Sequence, residues 1–497
     1  MSARRKTRTP RRRAKFGAPS QTAARSQPSA DFADELMRLR LEEIQHEGRN
    51  AFLLALAAWQ RGLRVTFHYE MASHCARFAH LPFSGHRGEF LTVSDGRRRY
   101  TFYRVLSDRT SREASATCES KPDTKVAMKQ AGIDVPAGLV IDPSQLAAAE
   151  GFLTARPNGR FLLKPVAGTL GRGVLRNLEN AETRAKLKAL DQPMLLEEFL
   201  TGTEFRVYVT GDRIVKVLLR RPASVEGDGS RTVRELVARK AALRRAHPIY
   251  RNDPLVLDRA AEAFLAARGY GVDQVPEAGE RVYLSDIPGT QYGGDFVDGL
   301  AQFPEVAGDI ARRATAALKL AHAGIDLLVV EGVTQERPRV VVFEVNQNPY
   351  IDHEPLPFPG VYTGGTNRIA ESIIDHYFPQ SVNQTRHRRG TFDFNTVCRM
   401  LRTGAVGEVT LPVLGQGWVH RRAIIPALGV EQSFIDQIHH ARLRLGIHLQ
   451  LVRSKTSDIV VDGVAPEARW AAFDEQVPDP GLRWVKQNCE TPSPKTA

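Results

Sequence analysis

Three groups of residues in this 497-residue chain have types and spacings suited to an anion, a hard cation and a purine. Lys164-Pro165 closes an apolar run and is followed by Gly168-Thr169-Leu170-Gly171-Arg172-Gly173. Three glycines in six positions let backbone N–H groups approach an anion, and a lysine on the preceding strand reaches phosphate oxygens as a point charge. A plain hairpin that binds nothing would share this pattern. Asp326 stands at the start of IDLLVV, while Glu344 and Asn346 end the run VVVFEVN. Residues 344 and 346 share a strand face at period two, so two adjacent antiparallel strands would gather Asp326, Glu344 and Asn346. Two acids and an amide form an all-oxygen set suited to magnesium, although strand-end polar residues facing water would read the same way. Glu197, Glu198, Phe199 and Leu200 precede Glu204. Acceptors beside apolar walls suit an adenine amino group and a ribose hydroxyl; ordinary helix-surface acids are the competing reading.

The elements that must hold these residues alternate helix and strand, an α/β (α+β) pattern. Helical spacing from about 31 to 62 feeds a strand at 63–70, and a short helix from 125 to Gly132 feeds a strand ending at 141. A strand is expected at 160–166, then two strands about a Thr-Gly-Asp turn at 204–220. Amphipathic helices are expected near 232–245, 257–268 and 305–323, strands at 325–332 and 339–349, and a helix at 368–379. The resulting division is a disordered basic tail (1–30), an N-terminal α/β domain (31–114), a central domain (115–380), a polar linker (381–390), a C-terminal appendage (391–480) and a disordered tail (481–497).

Taken in order, Lys121-Pro-Asp-Thr-Lys125, LLKPVAGTLGRGV, LLEEFLTGTEFRVYV, GIDLLVVEG and VVFEVNQNP resemble the ATP-grasp superfamily. Residues 115–380 look like the ATP-grasp part of cyanophycin synthetases and bifunctional glutathione synthetases, with D-alanine:D-alanine ligases more distant. RRPASVEGDGSRTVRELV at 220–237, Gly293-Gly294-Asp295 and the segment from His353 to Gly360 add to the likeness. The resemblance implies an ATP-grasp fold with an N-terminal α/β pre-domain and a small C-terminal α/β appendage. It implies an ADP-forming carboxylate-amine ligase making an amide bond through an acylphosphate, on an amino acid or short peptide. ATP and two Mg2+ ions would be its cofactors, with Mn2+ as a substitute. By the same likeness Lys121 and Lys164 hold the α- and β-phosphates, and Gly168, Thr169, Gly171, Arg172 and Gly173 fold over the β- and γ-phosphates. Glu197 and Leu200 meet adenine, with Glu198 and Phe199 in the same stretch, and Glu204 takes the ribose. Asp326, Glu344 and Asn346 match the metal ligands, Glu344 bridging two ions. Arg220, in the matching RRPA block, is the candidate catalytic residue, stabilising transferred phosphate charge.

The chain also departs from the pattern. Ser120 stands where an acid usually precedes the lysine, Asp286-Ile-Pro-Gly-Thr-Gln-Tyr292 replaces an Asn-rich approach to the Gly-Gly-Asp loop, and Gly324 stands where D-alanine ligases carry arginine. About 115 residues precede the region and about 118 follow it without a second phosphate loop, so a stand-alone ligase is expected.

The net charge of +13 suggests nucleic acid until it is located. Residues 1–30 hold nine of the 69 Lys and Arg and no acid; the rest carries 60 bases against 56 acids, or +4. Basicity is thus largely a tail property, and nucleic acid is expected, if at all, only through that tail. Four scattered cysteines form no C-x-x-C pair, which argues against a disulfide framework or structural zinc and fits a cytoplasmic setting. No apolar run is long enough to span a bilayer. Small-molecule carboxylate and amine substrates are the expected partners, with homo-oligomerisation left open. The alternatives are a non-catalytic ATP-binding regulatory module and a nucleic-acid-binding protein.

Overall fold

The computed structural model describes residues 41, 44, 46–69, 78, 88–144, 146–166, 173–247, 249–331, 338–353, 367–384, 392–404, 406–413, 417–425, 432–453, 459–477 and 485–488. The expected basic tail and the loop residues Gly168, Thr169, Gly171 and Arg172 lie outside them. Every strand pairing among the described residues is antiparallel.

Helix α1 (His46–Gln60) is apolar on nearly every side, a composition that suits full burial, and Phe52, Leu54 and Trp59 are buried. It packs on β1 (Arg64–His68) and β2 (Phe90–Ser94) of a sheet that also holds β3 (Arg99–Tyr103) and β4 (Leu106–Ser107). The outer edge of this sheet is taken by β16 (Glu408–Thr410), in the order β16-β1-β2-β3-β4. Phe392 and Phe394 set their rings 5.3 and 5.6 Å from Phe52. The stretch 392–411, expected in the appendage, therefore belongs to the N-terminal core, drawn there by its aromatic residues.

In the central region, α2 (Arg112–Glu119) and α3 (Lys121–Gln130) lead into a small sheet of β5 (Gly138–Ile141), β6 (Phe161–Pro165), β7 (Leu175–Leu178) and β8 (Met194–Glu198). Its order is β5-β8-β6-β7, and its core is shared with α4 (Ala147–Thr154) and α5 (Asn180–Lys188). The large sheet, ordered β13-β10-β9-β14-β15, comprises β9 (Gly202–Thr210), β10 (Arg213–Arg221), β13 (Asp295–Asp298), β14 (His322–Val330) and β15 (Val340–Asn346). Between its strands lie β11 (Ser224–Glu226), α6 (Val233–Arg245), α7 (Arg259–Ala266) and β12 (Arg281–Tyr283).

One face of the large sheet carries Val207, Leu219, Ile325, Leu327, Val340, Val342 and Val345 and is covered by α8 (Glu305–Ala317). The small residues Ala307, Ala311 and Ala314 of α8 are buried in this core. A bulge decides which side chains face the other way. Asp326 pairs with Glu344 but Leu327 pairs with Val342, which leaves Phe343 unopposed. The extra residue puts Val342 in the core and Glu344 and Asn346 on the opposite face, as a one-residue slip must.

Beyond α9 (Arg368–Tyr377) and α10 (Phe394–Arg402), the chain forms β17 (Trp418–Ile425), α11 (Gln432–Leu445), β18 (His448–Arg453), β19 (Ile459–Pro466), α12 (Glu467–Gln476) and β20 (Val485–Asn488). The order β18-β19-β17-β20 is that of a split β-α-β unit. β20 falls within the stretch expected as a disordered tail; it satisfies the backbone groups of the open edge of β17. No helix among the described residues is long and apolar enough to cross a membrane.

Candidate active site

Ser120 closes α2 and caps α3: its side chain accepts the Asp123 N–H, and Pro122 occupies the first turn. The serine standing in place of the expected acid thus fixes where the Lys121 helix begins. Lys125 follows one turn later on the same side. It pairs with Glu197 on β8 and donates to the Pro136 carbonyl at 3.0 Å. Lys164 on β6 reaches the other Glu197 oxygen at 2.9 Å. Burial lowers the Lys125 pKa, against the pull of Glu197. Burial also lowers that of Lys121, with Glu344 and Glu197 opposing and Lys164 reinforcing the shift. Lys121 therefore lies within electrostatic reach of both groups of acids. Gly173 takes φ +72°, and a Cβ there would come 3.2 Å from Pro165 Cγ, so this position favours glycine.

Glu197, expected at adenine, has its carboxylate gripped by two lysines. Glu198 and Phe199 donate their N–H groups to the Ala137 and Arg160 carbonyls, each at 2.8 Å, while Leu200 is half-buried beside them.

The polar face of the large sheet gathers the remaining residues. Arg206 on β9 lies opposite Asp326 on β14, which lies opposite Glu344 on β15. Arg206 grips Asp326 with two bonds, Nε to Oδ1 at 2.5 Å and Nη2 to Oδ2 at 2.8 Å. Arg220 Nη1 stands 3.5 Å from Asp326 Oδ1 and 4.0 Å from Glu204 Oε2, with its guanidinium 5.4 Å from the Phe296 ring centre. Its Nε is buried with no hydrogen-bond partner among the described residues. Asn346 Nδ2 is 3.4 Å from Asp326 Oδ2.

Burial works against the Arg206 charge, yet Asp326, Tyr208 and Glu344 hold its pKa above the ordinary guanidinium value. Glu344 keeps an exposed edge in the cleft. The surrounding protein and then Asp326 raise its pKa, while Arg206, Arg220 and Lys121 pull it down. Glu204 is raised by burial, against Arg220 and Arg176.

The structure thus brings together Arg220, Glu204, Asp326, Glu344 and Asn346 on the large sheet, and Lys164 and Glu197 on the small sheet, with Lys121 at the start of α3. Sequence reasoning passed over Lys125 and Arg206. Lys125 was signalled by its i, i+4 spacing from Lys121. Arg206 was signalled only through Gly324, where a Cβ would come 3.2 Å from Arg206 Nη1 and 2.8 Å from Pro349 Cβ. Among the described residues no cluster of three or more His, Cys, Asp or Glu forms a metal site, so the hard-ligand group remains two acids and an amide.

No family model matches the chain. The bifunctional glutathione biosynthesis protein of Desulfotalea psychrophila is 29% identical over 292 residues, covering 56% of this chain and 36% of that protein. Its counterpart in Enterococcus faecalis is 32% identical over 276 residues, or 53% and 36%. The bifunctional glutathione synthetase of Pasteurella multocida superposes with a TM-score of 0.45 at 26% identity, over 59% of this chain and 40% of that one. The ATP-grasp ligase PsnB with its minimal precursor gives 0.32 at 19% identity, over 54% and 63%. The chain spans little more than a third of the curated relatives it matches. With its motifs in order and relatives of this kind across them, the central region resembles the ATP-grasp part of these ligases.

Proposed function

We propose that the chain is an ADP-forming carboxylate-amine ligase. The observation that supports this reading is the cluster of Lys125 and Lys164 on Glu197 together with the Asp326, Glu344 and Asn346 row of the large sheet. Lys121 and Lys164 bind α- and β-phosphate oxygens, Glu197 and Leu200 lie at the adenine end, with Glu198 and Phe199 beside them, and Glu204 takes the ribose. The loop 168–173 is assigned to the β- and γ-phosphates on its sequence. Asp326, Glu344 and Asn346 fit magnesium by donor chemistry, offering hard oxygens without sulfur or imidazole. Magnesium bound there would neutralise triphosphate charge.

A substrate carboxylate oxygen attacks the γ-phosphorus of ATP and the bond to the ADP oxygen breaks, giving an acylphosphate. An amine nitrogen then attacks the acyl carbon; phosphate leaves with the bonding pair and the nitrogen loses a proton. Arg220, beside both Glu204 and Asp326, offers a charge to the phosphoryl oxygens in flight. Relatives named for glutathione biosynthesis support an amino acid or short peptide as the substrate class.

The test is release of ADP and phosphate from Mg–ATP in the presence of pooled amino acids and dipeptides, with mass spectrometry seeking a product equal to two components minus water. Glu344→Gln and Lys164→Ala should each abolish release. Tight Mg–ATP binding without ADP release from any pool would instead support a non-catalytic nucleotide-binding module.

A further inference from the structure

The segment Gln347–His353, which follows the acid-bearing strand β15, is tied at nearly every residue. Gln347 Oε1 accepts from the Ser115 hydroxyl at 2.8 Å, and Asn348 Oδ1 accepts the Val105 N–H at 3.2 Å. Pro349 lies over Gly324 beside Arg206. The Tyr350 carbonyl accepts from Tyr208 Oη at 2.6 Å. Ile351 donates its N–H to Asn50 Oδ1 at 2.9 Å and accepts at its carbonyl from Asn367 Nδ2 at 2.7 Å. Asp352, wholly buried, pairs with the buried Arg49 at 3.4 Å.

Two of these ties, Arg49 and Asn50, come from adjacent residues of α1, the core helix of the N-terminal unit. The far end of the segment reaches the site: the His353 ring centre is 4.5 Å from that of Phe296, which neighbours Arg220. The ties from α1 involve neither the phosphate-side lysines nor Glu197.

We infer that α1 braces the wall of the cleft that holds the non-nucleotide substrate, with Arg49 and Asn50 as positioning residues for that substrate. The inference rests on the ligase reading for what the wall binds. It gives the N-terminal unit a part in the reaction, since that unit sets the path of the chain from Pro349 to His353. A loosened brace should weaken capture of the amino acid or peptide more than it disturbs the nucleotide side, whose lysines and Glu197 stand on β6, β8 and α3 and whose remaining residues stand within β9, β14 and β15.

Arg49→Lys and Asn50→Ala test this in the full chain; Arg49→Met serves as the severe variant, and Asn50→Ala leaves no buried charge behind if that one fails to fold. Three quantities are read: Mg–ADP affinity by calorimetry, KM and kcat for the pool component the wild type consumes, and amide hydrogen exchange across 347–353. Loss of one buried hydrogen bond predicts that Asn50→Ala exchanges Ile351 about tenfold faster and raises KM by about tenfold. Mg–ADP affinity should fall by a smaller factor than KM rises, since Asn346 is also held by its place in β15 opposite Gly324, and Arg49→Lys should fall between wild type and Arg49→Met. An unchanged KM, or Mg–ADP affinity falling in step with it, overturns the proposal. If the wild type releases no ADP, the ligase reading fails and exchange alone decides: faster exchange confined to 347–353 upholds the brace, and unchanged exchange overturns it.

Discussion

Replacing Arg206 with methionine isolates the contribution of a guanidinium that sequence motifs do not reveal. Asp326 is fully buried and both of its oxygens bond Arg206, so the substitution leaves a buried carboxylate with Arg220, at 3.5 Å, as its remaining cationic neighbour among the described residues. Breaking a buried pair from one side costs about 3–5 kcal/mol, and the remaining arginine should bring this to the lower end, about 3 kcal/mol. For a unit of this size that corresponds to a fall in Tm of roughly 6–12 °C. The assay is thermal denaturation of wild type and Arg206→Met, each with and without Mg–ADP. A cation bound at Asp326, as proposed, would supply the missing charge, so the gap between the two proteins should narrow when Mg–ADP is added. Ligand at about a hundred times the wild-type Kd adds about 2.7 kcal/mol to the wild type, and the variant should gain more than that at the same concentration. Arg206→Lys, which keeps the charge but loses the planar fork, should lie between the two. Equal midpoints for wild type and Arg206→Met, or a gap that Mg–ADP does not alter, would refute the view that Arg206 serves as the counter-ion of Asp326.

His322 opens β14 in a buried position, where burial pushes its pKa down to about 4 from the usual 6.5. The unfolded chain takes up the proton first, so stability should fall as pH drops from about 6.5 toward 4, by about 3 kcal/mol in all; His322→Gln should flatten that slope in urea titrations, and an identical slope would count against the assignment. Gly324→Ala places a methyl 2.8 Å from Pro349 Cβ and 3.2 Å from Arg206 Nη1. Overpacking of this kind costs about 1–3 kcal/mol, and the expected result is a lower Tm together with reduced ADP release; a variant with the wild-type midpoint would show that the contact is relaxed cheaply.

Strand and helix placement was legible where periodicity was strong. The expected strands at 204–220 and 339–349 correspond to β9, β10 and β15, and the helix expected at 232–245 is α6. The shared face of Glu344 and Asn346 followed from period two, but the bulge at Phe343 did not, because VVVFEV reads as one unbroken apolar run. Without that bulge Val342 would stand beside Glu344 on the polar face. The helix expected to reach 323 ends at Ala317, since His322 already pairs with Thr210 on β9. The assignment of 392–411 to the N-terminal sheet was hidden for another reason: β16 pairs with β1 across more than three hundred residues, and local pattern carries no information about which distant edge a short strand will join.

Arg206 and Gly324 show where single-residue reading stops. Taken alone, Gly324 is a departure from the D-alanine ligase pattern, and Arg206 is one basic residue among many in a strand. The register makes them one feature: Gly324 lies opposite Tyr208 and Arg206 opposite Asp326, so a side chain at 324 and the stem of Arg206 compete for one space. A glycine there is what lets a guanidinium cross from β9 to the acid on β14. The positive charge beside the first acid is therefore supplied from the neighbouring strand, and its consequence reaches the second acid. Arg206 lowers the cost of ionising Glu344 next to Asp326, which would otherwise repel it. Two carboxylates can be held side by side with no cation yet bound only if fixed positive groups share the cleft, and the sheet provides two, Arg206 from β9 and Arg220 from β10.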